Sequence, residues 1–455
     1  MDVTDAPARQ SQALAVRLSG WGRRPIAAAE EILPASPADL AGLAERPYLP
    51  RGQGRSYGDA GLPARGHRAL NSARFDRCLS FNPFSGVLDA ESGVTLRAIL
   101  ALAVPRGFFL PVTPGTMFVS LGGAVASNVH GKNHHRSGSL EHFLLEVEVA
   151  TPSGAVVCSP EIRPALFRAT VGGYGLTGFI TRVKLRLKPI ESARMDTLRI
   201  RAPGLDSIFA LLARHDGDYE YSVAWLDLLA RGRGLGRGVL MLGNHAPATG
   251  RGKALDLEHK EKRRLAVPFP MPSILLNRLF LSAFNLAVYR FSPAGAAREG
   301  FEKFFYPLDY LRSWNLMYGQ AGFFQYQFAI PDPRGEAGIT AALEFVAREG
   351  LGSALSVLKR CGDDEVMLPF CKRGYTLALD VPYRGEATLS ALDRLDELVL
   401  GFGGRVYLTK DARMRPAAFR AMYPEARAWM DEVRRWNPEA RSNSLLAERL
   451  ELWRI

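Results

Sequence analysis

The 455-residue sequence holds four cysteines, Cys78, Cys158, Cys361 and Cys371. Their spacing fits neither a zinc site nor a disulfide framework, so a reducing compartment is the default. The N-terminus, MDVTDAPARQSQ, has no basic stretch followed by an apolar one, so no secretory signal peptide is expected. There is no Gly-Lys-Ser/Thr of a Walker A loop. GRSYG at 54–58 spells G-x-S-x-G, but it lies in a glycine-rich loop with no helical pattern after it rather than in a strand-to-helix elbow, so Ser-His-Asp hydrolysis is not expected. No basic patch interleaved with aromatics marks a nucleic-acid module. No repeat of solenoid length and no low-complexity tract occurs. The most apolar stretch, LAVPFPMPSILLNRLFLSAFNLAVYRF, is broken by Pro268, Pro270 and Pro272 and interrupted by Asn277 and Arg278. It is too short and too broken for a transmembrane helix.

What is present is an ordinary globular composition, 47% hydrophobic, long enough for two or three domains. The formal charge is +12, which favours phosphates, nucleic acid or anionic lipid. The basic excess concentrates between Arg231 and Arg264, in ARGRGLGRG and HKEKRR, just before the Leu/Phe-rich stretch. Basic residues followed by such a stretch suit a membrane-surface element. A buried helix suits it equally.

Residues 1–45 read as a leader with Ala-rich helical turns. Short strands are expected around PFSG between Phe81 and Val94, then a helix over Thr95–Ala103 stopped by Pro105 and Gly107. Leu145–Val157 reads as a hairpin turning at TPSG, followed by a short helix around Pro164–Thr170. Gly173, Gly175 and Gly178 spell G-x-G-x-x-G. A Rossmann fingerprint must follow a strand and open a helix. This one follows a helix and opens a strand in which Val183, Leu185 and Leu187 alternate with basic residues, so that reading is rejected. Downstream, YEYSVAWL and GFFQYQFAI are aromatic-rich strands. Ala341–Glu349, Leu389–Leu400 and Pro416–Arg435 are helical patterns, and Arg405–Leu408 is a strand. The fold class read from this is α+β with an antiparallel sheet.

Three Gly-rich stretches carry the chemistry: RGQGRSYGDA at 51–60, PVTPGTMFVSLGGAVASNVHGKNHH at 111–135 and VGGYGLTGFI at 171–180. Glycines in series let another group approach the backbone, and exposed N–H groups hold anions. His130 and His134 stand four apart as in a zincin helix, but Gly131 and Asn133 are poor helix residues and no Glu follows His130, so no metal is expected. A flavin dinucleotide uses all three stretches, with basic residues at its pyrophosphate and a Lys or Tyr for a substrate proton.

These stretches, with FFYPLD, WNLMYGQAGFFQYQFAIP, FGGRVYLTKDAR, AMYP and ERLEL, resemble the vanillyl-alcohol-oxidase (PCMH-type) FAD-binding family. Within it they resemble the oxidases of polyprenylphosphoryl-ribose, over nearly the whole chain. The resemblance implies FAD contacts at Arg51, Gly52, Gln53, Gly54, Arg55, Ser56, Tyr57, Gly58, Asp59 and Ala60. It adds Gly115, Ser120, Leu121, Gly122, Gly123, Ser127, Asn128, Val129 and His130, with Ile180 and Tyr407 further on. It implies a catalytic set of Lys410, Tyr57, Gln327 and Lys132, and a substrate pocket of Lys132, Trp225, Gln327, Lys359 and Lys410. Lys132 also suits a lipid phosphate as a point charge. Relatives that tether flavin commonly carry His in the first Gly loop; Arg55 stands there, so the FAD is expected to be non-covalent. Three pocket positions depart from the family: its cysteine falls at Ala378, its tyrosine at Phe305 and its asparagine at Ser356.

The expected architecture is two domains: 1–193 for FAD, completed by 405–455, and 194–404 for substrate. The implied reaction oxidises the 2'-hydroxyl of a polyprenylphosphoryl-pentose to the ketone. It is the flavoprotein half of an epimerisation towards the arabinose form used in cell-wall arabinan, with an NAD(P)H-dependent reductase as partner. Peripheral membrane association, in the cytoplasm or at either face of the inner membrane, follows from the lipid. The alternatives are an oxidase of soluble sugars, polyols or aldonolactones, and a flavin-free carrier of polyprenyl phosphate.

Overall fold

The computed structural model describes residues 12–250, 252, 256–259, 264–272, 276–352 and 354–455. Residues 1–11 and most of the HKEKRR run, both singled out in the sequence, lie outside them.

The N-terminal half is built on two small sheets. Gln12–Ser19 and Ile26–Leu33 form an antiparallel hairpin, and Ile26–Leu33 and Tyr48–Arg51 both run parallel to Arg68–Asn71. This corrects the helical turns expected within the first 45 residues: among the described residues there, only Pro37–Ala44 is helical, as a 3-10 turn. Alanine favours helix only weakly against tertiary packing. Here Leu18 and Ala27 are buried against Leu62 and Ala69, a contact that the strand pairing creates.

The second sheet runs Cys78–Phe81, Val87–Glu91, Phe179–Arg186, Leu144–Thr151, Gly154–Cys158 in spatial order. Leu96–Ala103 is the expected amphipathic helix, with Thr95 capping the Ala98 N–H at 3.2 Å. Helix Pro164–Thr170 leads through the three glycines into strand Phe179–Arg186, the order that excludes a Rossmann turn. Gly178 has φ +146°, and a Cβ on it would lie 2.5 Å from the Ala150 carbonyl oxygen.

The large sheet has eight strands, ordered Gly295–Gly300, Arg194–Ala202, Gly238–His245, Tyr221–Leu226, Ser356–Cys361, Gly374–Pro382, Phe323–Pro331, Arg405–Val406. Its pairings are antiparallel. Helices Leu205–His215, Gly335–Glu349 and Glu386–Gly401 cover one face, joining Leu212, Leu343 and Leu392 to Leu240, Leu358 and Leu377 in one core. The other face looks toward the Gly-rich loops. The helix expected over Pro416–Arg435 is two, Pro416–Met422 and Ala426–Trp436, because Pro424 restricts Tyr423 and cannot donate to the helix. Near the C-terminus, Ser442 bridges Tyr48 and Ser444 bridges Pro63, returning the chain to the first sheet.

The Leu/Phe-rich stretch forms helix Arg278–Phe291 on the surface. Leu281 and Asn285 are buried, while Leu279, Phe280, Phe284 and Phe291 are exposed. The alternative of a buried helix is thereby corrected. Among the described residues, no helix is long and apolar enough to cross a membrane.

Candidate active site

Three loops meet over the inner face of the large sheet and enclose a cavity of about 1000 Å³. The first follows strand Tyr48–Arg51. Among the described residues, no backbone carbonyl accepts from the N–H groups of Gly54, Arg55 or Ser56. Arg51 braces this loop, donating to the Gly61 carbonyl at 2.6 Å and the Ser19 carbonyl at 2.9 Å. The second loop enters the short helix Leu121–Ala126. A Cβ on Gly52 would lie 2.1 Å from Ser120 Oγ, so the first two loops touch only because position 52 is glycine. A Cβ on Gly115 would meet nothing. The third loop contributes Tyr174, Gly175, Gly178 and Ile180.

The structure brings almost every expected site residue to this one cavity. Gly52 to Tyr57, Gly115, Ser120, His130, Lys132, Trp225, Gln327, Lys359, Tyr407 and Lys410 all line it, as do Arg51, Ala60, Gly122, Gly123, Ser127, Val129 and Ile180. Gly58, Asp59, Leu121 and Asn128 do not. Leu121 is core, and Asn128 Oδ1 accepts from the Glu141 N–H. Gly58 and Asp59 have a different task. A Cβ on Gly58 would sit 1.7 Å from the Asp411 carbonyl oxygen. Asp59 and Asp411 share Arg449, at 2.7 Å and 2.8 Å. The residue after Lys410 is thus fastened to the first glycine loop, and this fixes where Lys410 stands.

The floor of the cavity is a cluster of nitrogen bases. Lys359 Nζ donates to His130 Nδ1 at 3.0 Å, and Gln327 Nε2 lies 3.1 Å from His130 Nε2. Burial, then the Lys359 charge, holds His130 well below the ordinary imidazole range, so it stays neutral. Lys410 Nζ lies 5.3 Å from the centroid of the Tyr57 ring. Burial first, and repulsion from Lys359 second, bring the Lys410 ammonium down to about 7. Lys359 is brought to about 8 by burial. Lys132 comes down to about 7 by burial, then Lys359 and Arg199. Its Nζ donates to the Phe304 carbonyl and lies 4.3 Å from that ring's centroid. Trp225 lends the wall a ring pinned by Nε1 to the Ala354 carbonyl at 2.9 Å. Tyr407 donates to the Ser127 carbonyl at 2.6 Å.

The His130 and His134 rings lie 5.9 Å apart, edge to face. His134 faces Ser139 and Asp364 through Nε2 and accepts the Gly362 N–H through Nδ1. His134, Asp364 and Cys371 place ligand-capable atoms within 4.8 Å of one another. Asp364 there already accepts from Ser139 Oγ and from the backbone of Phe370 and Cys371.

Several wall residues were not anticipated: Arg97, Phe118, Arg264, Asp309, Trp314 and Gln325. Asp309 accepts from the Met117 N–H at 2.9 Å and so pins the second loop. Nothing in FFYPLD as a sequence distinguishes that role from a surface turn.

A family described as FAD binding domain matches residues 35–159. Decaprenylphosphoryl-beta-D-ribose oxidase of Mycolicibacterium smegmatis is 32% identical over 454 residues, covering 96% of this chain and 97% of that protein. The chain belongs to the decaprenylphosphoryl-β-D-ribose oxidase family. It is an FAD-dependent oxidoreductase. An uncharacterized protein of Streptomyces coelicolor is 35% identical over 379 residues, 79% of this chain and all of that one. A solved structure, Physcomitrella patens BBE-like 1, superimposes with TM-score 0.65 over 91% of this chain and 90% of that one at 14% identity, which speaks for the fold.

The decaprenylphosphoryl-ribose oxidase site in this chain suits FAD. The open space at Gly115 and the N–H groups of Gly54–Ser56, which among the described residues have no backbone acceptor, would suit a pyrophosphate. Arg55 Nε is buried without a hydrogen-bond partner, and its guanidinium lies 4.1 Å from the centroid of a Trp21 ring.

Proposed function

We propose that this enzyme oxidises the 2'-hydroxyl of a polyprenylphosphoryl-ribose to the ketone, using non-covalent FAD. The observation that carries the proposal is the Lys410–Tyr57–Gln327–His130–Lys359 cluster at the floor of the FAD cavity, in a chain alike over its full length to an oxidase of that name. Bound FAD would supply the acceptor for the hydride leaving the carbinol carbon. Lys410, held at about 7, is substantially neutral at physiological pH and takes the hydroxyl proton at Nζ. The Gln327 amide, whose Oε1 is buried without a partner, orients the sugar. Neutral His130 fixes Lys359, and burial, with the Lys359 charge second, keeps Lys410 a usable base. Arg55 offers no nucleophile comparable to histidine for tethering the flavin.

The lipid calls for a membrane surface. Helix Arg278–Phe291, with Leu279, Phe280, Phe284 and Phe291 exposed beside Arg278 and Arg290, supports peripheral docking. An NAD(P)H-dependent reductase would then return the ketone to the arabinose form.

The test is the absorption spectrum of the purified protein before and after acid precipitation, followed by anaerobic mixing with polyprenylphosphoryl-ribose and with free sugars. Flavin in the supernatant and bleaching by the lipid-linked sugar alone are expected. Flavin in the pellet refutes the non-covalent reading. Bleaching by free sugars at equal efficiency moves the assignment to a soluble-sugar oxidase.

A further inference from the structure

Asp380 lies on strand Gly374–Pro382, whose nine residues are all buried. Its side chain is fully buried. Alternate residues of that strand share a face. Thr376 bonds to Gln327, and Ala378 lines the cavity, so Asp380 is the next residue in the row that faces the site. The facing strand places Gln325 opposite Asp380 in register. Gln325 Nε2 donates to Asp380 Oδ1 at 2.7 Å, and Tyr318 Oη donates to Oδ2 at 2.8 Å. Gln325 itself lines the cavity beside Tyr57. Tyr318 is held by stacking on Phe323, with ring centroids 4.0 Å apart.

A carboxylate taken this far from water is costly unless it is paired. Among the described residues no Arg or Lys forms an ion pair with Asp380, and the cation that acts on it is Lys410. The two influence each other: the Asp380 charge raises Lys410 and the Lys410 charge lowers Asp380. The polar groups about the pair are Tyr318, Gln325 and Tyr57, and the Lys359 charge also acts on Lys410.

We propose that Asp380 is the counter-charge of Lys410, a positioning residue that steadies the ammonium formed when Lys410 takes the substrate's hydroxyl proton. The proton moves from the sugar oxygen to Lys410 Nζ. Asp380 remains a carboxylate, and Gln325 and Tyr318 hold it in place. Burial brings its pKa up to about 7, so the counter-charge is present from neutral pH upward. The inference rests on Lys410 being the base of the reaction proposed above.

The test uses the FAD-loaded enzyme and Asp380→Asn, with Tyr318→Phe as a second variant that removes one donor from the carboxylate. Lys410 is titrated directly by NMR after ¹³C-methylation of the lysines, its signal assigned with Lys410→Arg. The pH profile of flavin reduction by polyprenylphosphoryl-ribose is measured beside it. Loss of the anion lowers the Lys410 pKa by about one unit or more, which moves the rising limb of the profile to lower pH by the same amount. The plateau rate falls at least about tenfold. Asp380→Glu restores part of both, and Tyr318→Phe moves the limb the same way by less. An unmoved Lys410 titration and an unmoved limb in Asp380→Asn overturn the proposal. If Asp380→Asn does not fold, an unmoved limb in Tyr318→Phe overturns it. If the wild-type flavin is not reduced by the sugar, the reaction assignment fails, while the Lys410 titration still decides whether Asp380 and Lys410 are coupled.

Discussion

Replacing Lys410 by methionine should stabilise the enzyme while disabling it. Lys410 is held at about 7 against an ordinary 10.5. At 1.36 kcal/mol per unit, keeping that ammonium inside the native protein below pH 7 costs up to about 5 kcal/mol. The side chain lines an open cavity, so water screens part of this, and a gain of about 2–3 kcal/mol is expected at pH 6. The sign follows from proton counting. Between pH 7 and 10.5 the unfolded chain holds a proton that the native chain lacks, so wild-type stability rises with pH across that window. The advantage of Lys410→Met is therefore largest at pH 6 and fades by pH 10.5. For 455 residues the unfolding entropy is on the order of 1 kcal/mol/K, so the Tm gain is about 2–3 °C. The assay is thermal unfolding from pH 6 to 10 with FAD saturating in both proteins, alongside flavin-reduction rates. Methionine cannot accept a proton, and a lost general base costs about 10²–10⁴ in rate. Equal Tm values across the pH range, or a rate within tenfold of wild type, would refute the reasoning.

Three further outcomes follow from the same geometry. Lys359→Met removes the charge that lowers Lys410, so the rising limb of the pH–rate profile should move to higher pH by about one unit, opposite in sense to Asp380→Asn; steady-state profiles check this. Gly58→Ala drives a methyl into the Asp411 carbonyl oxygen, 1.7 Å away, and should displace the loop bearing Lys410. Loss of FAD retention on gel filtration or a Tm drop of several degrees is expected, and a normal holoenzyme would count against the anchoring role. Phe280→Ser with Phe284→Ser removes two exposed apolar side chains from the surface helix and should weaken sedimentation with anionic vesicles several-fold without changing reduction by a detergent-dispersed substrate.

Much of the site could be read from the chain because its chemistry lies in short contiguous stretches. The three glycine loops each contribute consecutive residues to one cavity, and HGKNHH and TKD hold His130, Lys132 and Lys410 within a few positions. What escaped is pairing across the fold. Gly58 and Asp59 look like part of the glycine loop but face Asp411 and Arg449, over 350 positions later, so local sequence does not separate contact with FAD from anchoring. Asp380 carried a signal, a lone charge in an apolar strand, but its partners Tyr318 and Gln325 come from other elements. The N-terminal hairpin was hidden because alanine-rich residues follow their neighbours, and the neighbours Leu62 and Ala69 come later in the chain. The break at Pro424, by contrast, is legible in the sequence, because a proline ends the preceding helix locally.

The most direct test of the account is anaerobic stopped-flow reduction of the bound flavin by polyprenylphosphoryl-ribose carrying deuterium at C2'. If hydride leaves that carbon, the flavin band bleaches in a single turnover, several-fold more slowly than with the protium substrate, and the product is the 2'-ketone. Bleaching at the same rate with both isotopes, or no bleaching by a lipid-linked pentose that binds, would contradict it.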